Sequence, residues 1–206
     1  MEKDIILLTK SSMRSGYCVT GIDLATNTFI RLVTGNNEPL KDMNMQLLNG
    51  GIAKPLDLVR VNLIKPVPDK IQSENWLINN DFKWKKIRMA DIDEITPYIN
   101  TNIEYVYKNT NCYLTEEEII NINSSLVLLN VNNARLNRQT NMYGKIKSKL
   151  SFEFNGRCYN NFSVTDPEFY NIEKAEYKKL LVAVSLPRDS LGAGYYKFVA
   201  KIFNIS

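Results

Sequence analysis

Residues 11–33 constrain the fold more than any other stretch of the chain. They read S-S-M-R-S-G-Y-C-V-T-G-I-D-L-A-T-N-T-F-I-R-L-V and follow the apolar run Ile5-Ile6-Leu7-Leu8. A polar turn holding Arg14 and Gly16 separates that run from two short segments, 17–24 and 28–33, joined across Ala25-Thr26-Asn27. Short runs rich in β-branched and aromatic residues, bounded by turn residues, are strands. Three strands are therefore expected to open the chain, over 5–9, 17–24 and 28–33. Arg14 and Arg31 stand in or beside them, and arginine is seldom fully buried unless it is paired. At least one of the two is expected to meet a carboxylate or a ligand; a structural ion pair or a solvated side chain is the plainer account of either alone.

The rest of the chain continues in the same idiom. Residues 34–54 hold Gly35, Pro39, Gly50 and Gly51 without sustained periodicity. This predicts a long loop, with one helical turn near 42–48, of the kind that is functional or mobile. A strand over 56–65 follows and ends at Pro66 and Pro68. Gln72, Glu74 and Asn75 precede the apolar Trp76-Leu77-Ile78. They read either as a turn with side-chain-to-backbone bonds or as ligand groups that orient Arg14 or Arg31, with Glu74 the pairing carboxylate. Short helices are expected over 91–98 and 116–123, capped by Asp91 and Thr115, with Glu118 at the capping-box position. Residues 101–124 read as a helical connector between a first half, 1–100, and a second, 125–206. In the second half, strands are expected over 125–130, 145–155 and 158–164, with Asn155-Gly156 as a hairpin turn. Thr165-Asp166-Pro167 reads as the cap of a helix reaching Lys178. Strands over 180–186 and 195–205 complete the pattern.

Composition narrows the chemistry. The 206 residues include no histidine, which excludes Ser-His-Asp and Cys-His hydrolases and the usual His-containing metal sites. Cys18, Cys112 and Cys158 are far apart and form no CxxC pair, so neither a disulfide framework nor a cysteine-rich zinc site is expected. No metal and no cofactor are expected. An enzyme would have to rest on Asp23, Asp57, Glu74 and Asp166, which are scattered without metal-ligand spacing; the expectation is a chain that is not an enzyme. No run of apolar residues is long enough for a membrane helix, and the charged start Met1-Glu2-Lys3-Asp4 does not resemble a secretory signal. A cytoplasmic protein with no membrane partner is expected.

The net charge of +4 permits nucleic-acid binding without requiring it; clustering carries the signal. One cluster is F-K-W-K-K-I-R over 82–88, where Lys83, Lys85, Lys86 and Arg88 surround Trp84. Cations hold phosphates and an aromatic face stacks a base; the plainer reading is an exposed edge protected by lysines. The second cluster is Arg135, Arg138, Lys145, Lys147 and Lys149, with Tyr143 among them and no acidic residue between 135 and 149. On one strand the three lysines share a face, a reasonable phosphate track or simply a solvated sheet face.

About five strands per half with an intervening helix fit a small Greek-key barrel such as the OB-fold, and a single β-sandwich is the competing architecture. The motifs S-x-x-R-x-G-x-C-V-x-G-I-D at 11–23, Phe29-Ile30-Arg31, L-D-x-V-x-V at 56–61, Gln72-x-Glu74-Asn75, Thr165-Asp166-Pro167, Ser185-Leu186, and Y-K-x-V-A at 196–200 span almost the whole chain. In their order and spacing the chain resembles the bacterial dual OB-containing domain family. Phe29 stands where the family often has Trp, and Leu32 where it often has Pro. The resemblance implies a mostly β protein of two OB-like barrels packed together, a nucleic-acid-binding role, and a bacterial defence or mobile-element setting. The matched polar positions are Arg14, Arg31, Gln72, Glu74, Asn75, Asp166 and Lys197.

Two functional readings follow. The first is a non-catalytic module for single-stranded DNA or RNA, working beside a neighbouring effector protein. The second is an adaptor or sensor that holds a small molecule or a protein through Arg14, Arg31 and Glu74, since arginine forks suit phosphate and carboxylate. A closed polar pocket would favour the second and an open basic groove the first.

Overall fold

The computed structural model describes residues 1–13, 15–140 and 144–205. The chain forms two compact units, Met1–Pro97 and Tyr98–Ser206, and among the described residues it contains strands and short 3-10 turns but no α-helix.

The first unit is built from β1 (Glu2–Met13), β2 (Gly16–Asp23), β3 (Thr28–Val33), β4 (Asp57–Pro66), β5 (Asn75–Ile78) and β6 (Lys85–Met89). The sheet order is β1-β2-β3-β5-β4-β6, and β1 also pairs with β4. That pairing closes the first five strands into a barrel. All its seams are antiparallel except β3 with β5, where Arg31, Leu32 and Val33 lie beside Asn75, Trp76 and Leu77 in parallel. Ile5, Leu7, Val19, Ile30, Leu32, Val59, Val61 and Leu63 fill the interior. Their spacing of two is the sheet period, so the intervening residues face the other way. Gly21 is required where β2 crosses β1: a Cβ there would stand 2.5 Å from both the Ile6 carbonyl oxygen and Ile5 Cγ2.

The loop of residues 34–56 is tied down. A 3-10 turn, Asp42–Met45, lies in it; Leu40, Met45, Leu47 and Ala53 are buried. Trp84 holds it through the backbone, donating its N–H to the Gln46 carbonyl (2.9 Å) and accepting from Leu48 N–H (2.9 Å).

The second unit repeats the plan. Its strands are β7 (Tyr113–Leu114), β8 (Leu126–Thr140), β9 (Ile146–Phe154), β10 (Arg157–Ser163), β11 (Lys174–Ser185), β12 (Tyr195–Tyr196) and β13 (Phe198–Asn204). The five-stranded sheet runs β10-β9-β8-β11-β13, while β7 and β12 form a separate ribbon. A single parallel bridge, Val164 with Val199, joins the two ends of the sheet. Strand for strand, β8, β9, β10, β11 and β13 match β1, β2, β3, β4 and β5, including the parallel closure of third strand to fifth. Asn155 (φ 48) and Gly156 (φ 70) make the hairpin turn between β9 and β10; two successive positive φ values match the primed turns that suit the strand twist. The core is aromatic: Phe152 stacks on Tyr159 at 5.2 Å, and Phe162 meets both edge-on at 5.3 and 5.9 Å. Between Tyr159 and Phe162 the β9–β10 register slips, and Asn161 takes φ 59.

Three expectations are corrected. The helix predicted from Pro167 to Lys178 is a 3-10 turn, Pro167–Phe169, followed by β11 from Lys174. Ala175 and Tyr177 pack on the core while Lys174, Glu176 and Lys178 are exposed; pairing with β8 imposes period two on charged residues of ordinary helix propensity. Residues 101–124 carry turns and β7 but no helix, and belong to the second unit. Glu118 and Thr115 do exchange the predicted capping-box bonds, at 3.0 and 3.2 Å, but only turns follow. The helix expected over 91–98 is two 3-10 turns, Ile92–Glu94 and Thr96–Tyr98.

Candidate functional site

The described residues of the basic stretch at 135–149 lie on β8 and β9, the first two strands of the second barrel, and just before β9. Cross-strand partners share a face, so the register places the outward side chains directly. Lys174 on β11 pairs with Asn137 on β8, Asn137 with Lys149 on β9, and Lys149 with Ser163 on β10. Gln139 pairs with Lys147, and Glu176 with Arg135 and then Ser151. The alternate positions Leu136, Leu150 and Phe152 are core. The outward face is thus a grid of amides, hydroxyls and ammonium groups.

Partners within the grid are mostly neutral. Lys149 Nζ donates to Ser163 Oγ at 2.8 Å and Gln139 Nε2 to Asn161 Oδ1 at 2.9 Å. The only carboxylate paired with it among the described residues is Glu176, 3.9 Å from Arg135 Nε, with both side chains well exposed; a pair this open is worth little. Lys147 and Lys174 are exposed and form no ion pair among the described residues. Burial pushes the Lys149 ammonium below the usual lysine range; Cys112 acts against this and the charge of Lys147 adds to it. A phosphate anion would relieve both the lost hydration and the lysine–lysine repulsion.

Lys145 is exposed just before β9. Arg138 pairs with Ser148, which is buried on the inward side, so its guanidinium leaves the outward row; its Nε is buried and makes no hydrogen bond. Tyr143 lies outside the described residues, as does Arg14. Lys174 is a member that the sequence reading missed, because those residues were assigned to a helix; the alternation K-A-E-Y-K was the available signal.

The cluster at 83–88 is a different object. Trp84 is 1% exposed within the first barrel's core, so the expectation that it stacks a base is corrected: its faces are covered. Lys86 pairs with Asp57. Arg88 grips Glu94 in a two-pronged bond at 2.6 and 2.5 Å, which holds the Glu94 carboxyl at about 2. Lys83 and Lys85 remain exposed. The plainer reading, an edge strand with charged guards, describes β6 well.

The polar positions carried over from the family pattern fall in two places. Arg31, Gln72, Glu74 and Asn75 lie together in the first unit, between 0 and 8% exposed. Arg31 projects from β3 away from the core residues Ile30 and Leu32. Its guanidinium donates to Cys18 Sγ and, at 3.3 Å, to Glu74 Oε1; its backbone N–H donates to the Glu74 carbonyl at 2.8 Å. Asn75 Nδ2 reaches Gln72 Oε1 at 3.4 Å. This arrangement holds the β3–β5 seam together.

Asp166 and Lys197 lie in the second unit. Asp166 accepts from Glu168 N–H (3.2 Å) and Ile202 N–H (3.1 Å), with Lys201 Nζ at 3.1 Å; burial still raises its carboxyl above the usual range. It clamps the turn before β11 to β13. Lys197 is 1% exposed and donates to the Asn109 carbonyl and Oδ1 at 2.7 and 2.8 Å. Burial pulls it down to about 8, against the pull of Glu118 and Cys112. Lys197 therefore pins the segment before β7. Its neighbour Lys201, also buried and bonded to Asp166 and Glu168, was not singled out from the sequence.

Among the described residues no group of three or more cysteine and carboxylate side chains is placed to hold a metal ion, and no helix is long and apolar enough to cross a membrane.

A strand order of 1-2-3-5-4 around a barrel, with the first strand pairing the fourth, defines OB-type domains, and this chain contains the plan twice. The chain belongs to the dual OB-containing domain family, whose model matches residues 3–202. No curated protein and no solved structure matches it.

Proposed function

We propose that this protein is a non-catalytic binding module for single-stranded nucleic acid, held on the outward face of β8, β9 and β10. The observation that carries the reading is the row Lys174-Asn137-Lys149-Ser163, flanked by Lys147 and Arg135. It stands on the second and third strands of an OB-type barrel, the side such barrels offer to oligonucleotides. Ammonium groups there suit phosphates, and neutral amides and hydroxyls accept and donate without repelling them. The adaptor reading rests on Arg31 and Glu74, which are buried and bonded to each other. A partner effector protein, in the bacterial defence or mobile-element setting that the family resemblance implies, would supply any catalysis.

The test is fluorescence anisotropy with labelled single-stranded DNA, single-stranded RNA and duplex DNA at two salt concentrations. Salt-sensitive binding that the combined change Lys147→Gln, Lys149→Gln, Lys174→Gln weakens is the expected result. Absence of binding to all three at low salt overturns the reading.

A further inference from the structure

Among the described residues the lysine grid has cations in plenty and no ring. Every aromatic side chain of β9 and β10 points inward: Phe152, Phe154, Tyr159 and Phe162 are core. Single-strand binding ordinarily couples a cationic track to aromatic faces on which bases stack, and rings are offered elsewhere on the same surface.

The barrel seam supplies them. Val164 and Val199 pair in parallel and both belong to the core. One residue earlier on each strand, Ser163 and Phe198 therefore stand side by side on the outward face, because the side-chain period is two. The row Lys174-Asn137-Lys149-Ser163 thus continues across the seam to Phe198. With strands about 4.8 Å apart, Phe198 lies two strands, or about 10 Å, from Lys149.

Phe198 is not alone. Its ring centroid is 6.4 Å from that of Tyr196, which is 5.7 Å from that of Tyr113. Tyr196 and Tyr113 are partners in the ribbon of β12 and β7; β12 lies in the connection between β11 and β13 and β7 in the segment before β8, and all three rings are partly exposed. The ribbon is rigidly placed. Lys197 N–H donates to the Cys112 carbonyl at 2.9 Å, its ammonium holds Asn109, and Gly194 packs so closely that a Cβ would overlap the Leu114 carbonyl. Three partly exposed rings in series end a row of lysines.

Building on the nucleic-acid reading above, we propose that Tyr113, Tyr196 and Phe198 form a stacking platform for consecutive bases of a single strand whose phosphates run along Lys149, Lys147 and Lys174. The platform combines the fifth strand, the loop before it and, through Tyr113, the segment that precedes the first strand, beside the second- and third-strand surface. Stacking is tolerant of sequence because every base has a π face, so the site selects unpaired strands rather than a base order. A duplex, with its bases already stacked, gains only the phosphate contacts.

The test compares three labelled oligomers of equal length and charge: a single-stranded oligothymidylate, its RNA counterpart, and the same DNA backbone carrying abasic sites. Base-bearing strands should bind about tenfold or more tighter than the abasic one, and the stronger of the DNA and RNA forms identifies the sugar preferred. Tyr113→Leu with Tyr196→Leu should lower base-bearing affinity to the abasic level and leave abasic binding unchanged. Tyr196→Trp alone should keep or raise it, and circular dichroism confirms that each variant is folded. Equal wild-type binding of base-bearing and abasic strands, or a difference that survives the double change, overturns the platform while salt-dependent binding leaves the lysine grid standing. Failure of every oligomer to bind the wild-type protein at low salt overturns both.

Discussion

The two barrels share a strand order and use the outward face of the second and third strands differently. In the first, Cys18, Thr20, Ile22 and Arg31 on β2 and β3 are buried although they face away from the barrel core. In the second, Lys147, Lys149, Ser151 and Asn161 at the matching strands are exposed or partly so. Both faces are polar in part. The first spends its one arginine on Glu74 and Cys18, and the second leaves its lysines facing solvent or a serine hydroxyl. A repeated fold thus places equivalent positions without dictating their use: internal pairing makes one face structural, and on the other Lys147, Lys149 and Lys174 have no carboxylate partner among the described residues, which leaves it open to anions.

The largest way to break this comparison is Arg31→Met. It leaves the Glu74 carboxylate buried without its guanidinium, a loss of about 3–5 kcal/mol. Both tryptophans, Trp76 and Trp84, lie in the first unit, so urea unfolding followed by tryptophan emission reads that unit selectively. An unchanged midpoint would show that the pair is not structural. Next comes the second barrel's face. Reversing Lys147, Lys149 and Lys174 to Glu should weaken single-strand binding by about 100-fold at low salt, whereas Lys83→Glu with Lys85→Glu on β6 should weaken it by about threefold or less. The opposite ranking would move the interface to the first unit.

A smaller effect sharpens the comparison through pH. Lys197 titrates at about 8 in the folded protein and near ~10.4 when unfolded. Between those values the unfolded chain binds the additional proton, so stability rises with pH, by roughly 2 kcal/mol from about pH 8 to about pH 9.5. Far-UV circular dichroism in urea should show this rise in the wild type and its absence in Lys197→Met; equal slopes would mean that the ammonium is not buried as described. The smallest effect belongs to β6. Glu94→Gln removes the carboxylate that Arg88 holds at about 2, yet both groups are at the surface, and the melting temperature should not move measurably. A clear drop would make β6 a structural partner of the barrel and not only its guarded edge.

Much of this architecture is legible in the residues because strands announce themselves locally. The apolar runs of β1 to β4, the Asn155-Gly156 turn and the alternation of Lys147 and Lys149 with Ser148 and Leu150 need no knowledge of the partner strand. What is not legible depends on the partner. Residues 167–178 have ordinary helix formers, and only pairing with β8 draws Lys174 into the outward row. Trp84 among four cations reads as a surface ring, but the strand hydrogen bonds to Gln46 and Leu48 turn it inward. Arg31 and Glu74 are 43 residues apart; their pairing follows from the parallel β3–β5 seam, which no local pattern encodes. Phe198, Tyr196 and Tyr113 come together through that same kind of long-range closure.

The slip in β10 has a consequence for how this chain behaves in a crowd. Three residue pairs seal the first barrel at β3 and β5, but one bridge joins β10 to β13. Parting of that bridge would bare two edges, and a bare, flat edge recruits strands from other molecules. The edge of β10 is not flat. Asn161 turns into the left-handed region and gives its N–H to the Ser151 hydroxyl at 3.0 Å rather than to a neighbouring backbone. The extra residue bends and twists this edge, so a second molecule that met it would find no flat ladder to extend, and the seam closed by a single bridge carries its own guard against self-association.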